Sequence, residues 1–366
     1  MSDTLKNPNP LPAASRVPPA AETDDDAVGG GGGEAAPASR RQGRSWPRLL
    51  IGVFAVVAIL GVGVGTWWSL QPAKFDPMTN ARAMLGEGAP LVPGAVTVAA
   101  AIGVAETLLS KPGGYLRNDV TPPGALMDNM PNWEYGLLTE LQDSVRALRN
   151  DFSRSQTQSV ESEALKRADS DFNFDSEAWI LPSAEEQYRD GIDQLRTYLS
   201  GLVSGKDRTA RFYARADNLA AYLAVVEKRL GSYGQQLSAS VGDAELTAAF
   251  SAESAGSGPQ AQALEPTSWS EIDNVFFEAR GYTWALLHML KALSVDFEKV
   301  LDDKNAKVSM QQIIRDLEHA TRRKVSPLVL NGQGFGVLAN HSLVLASYMA
   351  RANAAVLDLR QLLRQG

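Results

Sequence analysis

The chain contains no cysteine. That absence removes disulfides, thiolate-bound zinc or iron–sulfur centres and a thiol nucleophile together. Histidine is almost as scarce: His288, His319 and His341 are the only three, far apart and in no HExxH arrangement. Zinc chemistry therefore lacks its usual ligand spacing, and no metal site is expected. A basic excess is missing as well. The net charge of −7 argues against nucleic acid as a partner. Neither a GxSxG elbow nor an SxxK pair occurs, so serine acyl transfer has no motif behind it. No run of alternating polar and apolar residues marks a strand. Hydrophobic residues nevertheless make up 44% and charged residues 21%, enough apolar surface for a sizeable core.

Charge itself is absent from residues 49–70, LLIGVFAVVAILGVGVGTWWSL. As a helix this run is roughly 30 Å long, the thickness of a bilayer's hydrocarbon core. Trp46 on one side and Trp67–Trp68 on the other match an interfacial aromatic belt. The run is too long and starts too far into the chain for a cleaved signal peptide. Residues 49–70 are expected to be a membrane span, with the lipid bilayer as the first partner. Arg40, Arg41, Arg44 and Arg48 precede it, whereas Lys74 and Arg82 come after it beside Asp76. This bias puts the amino terminus in the cytoplasm and exports the chain after residue 70. Gly61 and Gly65 make a GxxxG pair, a candidate dimerisation face.

Residues 1–48 read as a flexible cytoplasmic tail, with the prolines of 7–12, the acidic run Asp24–Asp26 and the glycine run Gly29–Gly33. The exported part, 71–366, reads as all-α. A helix over 95–110 ends at KPGG (111–114), which cannot continue it. A loop over 115–132 leads to the face Leu137, Leu141, Val145, Leu148 and Phe152. Ser183 with Glu186, and Ser309 with Gln312, look like capping boxes. Three long stripes alternate in steps of 3 and 4, from Phe212 to Leu237, Ile272 to Val300 and Leu345 to Leu362. Such stripes are seams of helices packed at shallow angles. They predict a helical bundle, with coiled-coil assembly between chains as the second way to bury them. A linker rich in Ala, Ser, Gly and Gln is expected at 251–267.

Chemistry-bearing residues are few. DSDFNFDSE (169–177) begins with calcium-loop spacing, but Phe174 stands where glycine is needed and Ile180 where the bidentate acid belongs. An acidic loop is the better reading. NGQGFG (331–336) lacks both GxGxxG spacing and a following lysine, so no nucleotide or other cofactor is expected. The strongest surface candidate is MDNMPNWEYG (127–136), where Asp128, Asn129, Asn132, Trp133, Glu134 and Tyr135 combine aromatic and polar groups as interaction hot spots do. Glu278 and His341 are weaker candidates, as is Asn340, well suited to cap the last helix.

KPGGYLRND (111–119), MDNMPNWEYG (127–136), FSRSQ (152–156), WILPS (179–183), FYARADNL (212–219), FFEARG with TWAL (276–286) and LNGQGFGVLANHSLV (330–344) running on to SYMARANAA (347–355) carry a family likeness. The chain resembles the single-span bacterial inner-membrane proteins grouped as domain of unknown function 2333. The resemblance implies a Gram-negative envelope location and brings no catalytic residue or cofactor. Two functions are therefore expected in order. The first is a non-enzymatic inner-membrane protein with a periplasmic helical domain that binds another envelope protein or itself. The second is a membrane-tethered hydrolase of cell-wall glycan or lipid. It requires the loops at 113–135 and 331–340 to share one cleft, with two acids, or an acid and His341, face to face.

Overall fold

The computed structural model describes residues 46–86, 88–155, 160–240, 268, 271–324, 326, 328–332 and 338–365. The expected tail up to residue 45 and the linker at 251–267 lie outside them. Compactness divides the chain into Met1–Gly52 and Val53–Gly366. The described part of the first unit is the opening of helix α1.

Helix α1, Trp46–Trp68, is long and apolar enough to cross a membrane, and none of its residues is buried. It begins three residues before the charge-free run, taking in Arg48. The remaining helices among the described residues are α2 (Pro77–Leu85), α3 (Ala95–Ser110), α4 (Asn129–Ala147), α5 (Glu163–Phe172), α6 (Ala184–Ser204), α7 (Ala216–Ala239), α8 (Ile272–Asp296), the short α9 (Glu298–Asp303), α10 (Lys307–Ala320) and α11 (His341–Arg364). The all-α expectation holds. Among the described residues the one β-type pairing is an isolated bridge between Asn331 and Asn340.

Helix α8 is the axis of the bundle. From Phe276 to Leu290 all but Glu278 are buried, because GYTWALLHML (281–290) has no charged residue on any side. Its main neighbours are α4, α3 and α10, while α11 lies along α7 and α10, and α5 along α6. The stripes close inside the molecule: Leu219, Leu223, Val226, Leu230 and Leu237 of α7 are buried, as are Leu345, Ala352 and Leu359 of α11. The bundle reading thus accounts for the 3–4 spacing.

Helices α4 and α8 meet backbone to backbone. A Cβ on Gly136 would stand 1.9 Å from the Glu278 carbonyl oxygen, and one on Gly281 would stand 1.8 Å from that of Trp133. Only glycine allows this approach.

Boundaries differ from expectation where local chemistry intervenes. Helix α4 begins at Asn129, inside the expected loop, because the Asp128 carboxylate accepts from the Asn129 amide at 2.8 Å and Pro131 sits in the first turn, where its missing N–H costs nothing. Ser183 caps α6, accepting from the Glu186 amide at 3.3 Å, and Asn340 caps α11, accepting from Leu343 at 2.8 Å. Ser309 caps nothing. Asn305, at φ +51°, turns the chain so sharply that α10 has begun at Lys307, with Ala306 in the cap position. Helix α5 claims Asp169 and Asp171, and Asp169 pairs with Arg149 at 2.7 Å, so the first four residues of the expected acidic loop are helix and only 173–177 remain a turn.

The segment between α1 and α2 is tied down residue by residue. Arg280 Nη2 donates to the Gln71 side chain at 2.8 Å and to the Arg322 carbonyl at 2.7 Å, while its Nη1 donates to the Ala320 carbonyl at 3.0 Å. Lys74 donates to Thr321 Oγ1 at 3.0 Å, and the Phe75 amide donates to His288 Nε2 at 3.1 Å. Asp76 then caps α2 by accepting from Thr79 at 2.8 Å. Arg280 and His288 of α8, with Thr321 just after α10, thus hold Gln71, Phe75 and Lys74 of this segment.

Candidate functional site

The best-defined polar constellation starts where α3 stops. Pro112 forbids another helical turn, and Gly113 and Gly114, at φ +89° and +71°, reverse the chain. Lys111 folds into the reversal, donating to the Gly114 carbonyl at 2.5 Å and meeting Glu134 Oε1 at 2.5 Å, both side chains wholly shielded from solvent. Glu134 also accepts from the Leu116 amide at 3.0 Å and the Arg117 amide at 2.8 Å. Burial pushes its carboxyl up to about 7, with Lys111 and the two amides pulling the other way. Around this knot, Arg117 lies over the Tyr135 ring at 4.4 Å and bonds Ser176 and Glu177, while Asn118 bonds the Ala178 carbonyl at 2.8 Å and Glu185 at 2.7 Å.

The six residues of the 127–136 patch do not share a surface. Trp133 and Glu134 are interior, Trp133 edge-on to Trp284 at 5.5 Å. Tyr135 and the cap residue Asp128 are exposed, and Asn132 in the first turn of α4 is partly so. Asn129 leaves its Oδ1 buried without a partner. A helix, unlike a loop, must send Trp133 and Glu134 to the side away from Asn132 and Tyr135. Glu278 accepts from Tyr233 at 2.9 Å, and burial holds its carboxyl above the usual range.

His341 opens α11 with Nδ1 accepting from the Leu330 amide at 2.8 Å, and its ring lies 6.2 Å from that of Phe276. Partial burial, Lys324 and Arg280 lower its pKa. Residues 333–337, part of the second loop required of a hydrolase cleft, lie outside the described residues. In the described part, Asp128, Glu134 and Glu278 are each engaged in separate hydrogen bonds, and the charges acting on His341 are cationic.

Two further buried acids of α4, Glu140 and Asp143, escaped sequence reasoning. Glu140 accepts from Ser144 at 2.8 Å and from Tyr222 at 2.5 Å, and Asp143 accepts from Arg229 at 2.7 Å. Burial, seconded by the Asp143 charge, pushes Glu140 up to about 8. The available signal was position: Glu134 lies three residues before Leu137 and Glu140 just before Leu141, flanking the apolar stripe. Among the described residues no group of three or more His, Asp or Glu could hold a metal ion. An open cleft of about 740 Å³ lies between α2, α3 and α6, bordered by Met84, Leu199, Val203 and the Glu106–Arg196 ion pair.

His288 is the buried titratable group with the plainest consequence. Its Nε2 accepts from Phe75 and its Nδ1 contacts the Trp284 carbonyl at 2.7 Å, a set that fits only the neutral ring with its proton on Nδ1. Burial first, then Lys291 and Lys74, lower its pKa to about 4. The folded pKa lies below the ordinary 6.5, so the unfolded chain takes up the proton first. The stabilisation is complete above pH 6.5 and is lost as pH falls toward 4, by roughly 3 kcal/mol. His288→Gln keeps an acceptor for Phe75 and cannot titrate. Urea midpoints compared between it and the native chain from neutral pH downwards should converge in acid; parallel curves would contradict the assignment.

Among the described residues this arrangement defines an all-helical protein in which one apolar helix of membrane-crossing length leads into a bundle whose apolar core encloses hydrogen-bonded acids. The chain belongs to the bacterial family described as uncharacterized protein conserved in bacteria (DUF2333), which matches residues 39–366. No curated protein and no solved structure matches it.

Proposed function

We propose that this chain is a single-span protein of the bacterial inner membrane, with its amino terminus in the cytoplasm and its bundle in the periplasm. There it acts as a non-enzymatic interaction module, binding another envelope protein or a second copy of itself. The observation that carries this reading is the join between anchor and body. Helix α1 is apolar and without a buried residue, and the segment after it is held by Arg280, Thr321 and His288 rather than left as a free tether. Such a join supports a body held at a fixed height and orientation above a bilayer. The four arginines before the charge-free run support the topology. The engagement of the interior carboxylates with tyrosines, arginine and backbone amides supports a structural role for them.

Photo-crosslinkable side chains placed at Asn132 and Tyr135 in growing cells test the module. One defined protein adduct, or a homodimer, is the expected product. A monomer without adducts at either position would rule out this face of α4, and a reporter fused after residue 366 that works only in the cytoplasm would overturn the topology.

A further inference from the structure

Large apolar side chains stand in solvent at a place the fold does not require. Residues 179–181, Trp-Ile-Leu, are 56%, 55% and 90% exposed, and Leu181 adopts φ +49°, a left-handed conformation that leucine rarely takes. A second loop adds Val120 at 59% and Leu126 at 80%. The two loops are neighbours. Asn118, just before Val120, donates to the Ala178 carbonyl, and Arg117 bonds Ser176 and Glu177. The nearby acids Glu177 and Glu185 are held back by Arg117 and Asn118.

The 120–126 loop adjoins the end of α1, as does the turn at Gly113 before it, and the 179–181 loop is tied to this region through Arg117 and Asn118. A Cβ on Gly65 would lie 3.8 Å from Pro123, and one on Gly113 would lie 2.8 Å from the Trp68 ring. Gly65 is three residues, about 4.5 Å of helix, short of Trp68. If Trp67 and Trp68 mark the interface, the 120–126 loop sits at the same depth. Across the same exit, the Arg322 carbonyl shares Arg280 with Gln71, and Arg322 and Arg323 are exposed beside it. An apolar lip containing tryptophan, with arginines nearby, has the chemistry of a bilayer interface: acyl chains for Leu181 and Leu126, carbonyl depth for Trp179, phosphates for the arginines.

We infer that the loops 120–126 and 179–181 form a second membrane contact, a lip that dips into the leaflet from which α1 emerges. The inference rests on the anchoring reading above and adds the occupant of this patch, which is lipid rather than protein. The contact gives these exposed apolar side chains an apolar environment, beginning at the 120–126 loop beside the span.

The absence of native cysteine makes the test direct. Full-length variants Val62→Cys in α1, Leu181→Cys and Leu126→Cys in the lip, and Val308→Cys at the far end of α10 each receive one environment-sensitive fluorophore. They are reconstituted into vesicles of phosphatidylethanolamine and phosphatidylglycerol carrying a nitroxide near the headgroup end of the acyl chain. Val308 is 72% exposed and 12 residues, about 18 Å of helix, from Ala320, so its label should stay bright. Labels at positions 181 and 126 should lose about half their emission or more, as shallow interfacial residues do. Quenching at 62 with none at 181 or 126 would overturn the lip and leave the anchor intact. No quenching at 62 would overturn the anchor and the lip together.

Discussion

Replacing Gly281 by alanine will lower the unfolding free energy by about 3 kcal/mol, and by more if the helices cannot part. The new Cβ would stand 1.8 Å from the Trp133 carbonyl oxygen, a backbone atom that no rotamer change can move. Relief demands that α4 and α8 separate along their contact, loosening Trp133 against Trp284. Gly136→Ala strikes the same contact from the other helix, 1.9 Å from the Glu278 carbonyl, and should cost a similar amount. The double variant should then cost clearly less than the sum, because the first substitution has already parted the helices. Urea unfolding of the detergent-solubilised full chain, followed by circular dichroism, provides the measurement. A loss under about 1 kcal/mol for either single variant would mean that the helices cross elsewhere.

Periodicity made most of this architecture readable, and the exceptions share a cause. The stripes of α7, α8 and α11 announced three long helices because each buries a face against neighbours of its own kind. The caps at Ser183 and Asn340 were readable since a cap bonds an amide two or three residues away. The failures need contacts distant in sequence. Ser309 is the local exception: Asn305, four residues before it, takes the left-handed turn that asparagine tolerates best among non-glycine residues, and the helix has begun before Ser309 is reached. The 127–136 segment looked like one patch because composition does not tell which side of a helix a residue takes. Lys111 and Glu134 are 23 positions apart, and Arg280 meets Gln71 across 209. Such pairs are invisible to any local pattern. The exposed lip was legible only as the family stretch WILPS, since exposure belongs to the fold.

Lys111→Met should be the costliest polar substitution, and its cost should depend on pH. In the native chain the Glu134 carboxyl titrates at about 7 when folded, against 4.5 unfolded. The unfolded chain releases this proton first as pH rises, so Glu134 lowers stability progressively between 4.5 and 7, by up to about 3 kcal/mol. Removing the lysine takes away the one countercharge at bonding distance, and the folded pKa moves higher still. In acid both proteins hold a neutral carboxyl and should differ little. As pH climbs from about 5 to about 8 the gap should open to roughly 3–5 kcal/mol, the cost of a buried charge stripped of its partner. Adding Glu134→Gln to Lys111→Met removes the charge while leaving a carbonyl oxygen for the Leu116 or Arg117 amide. That double variant should regain most of the loss at neutral pH and flatten the dependence. A gap of the same size at pH 5 and pH 8 would show instead that Lys111 matters through its bond to the Gly114 carbonyl, with the ion pair contributing nothing.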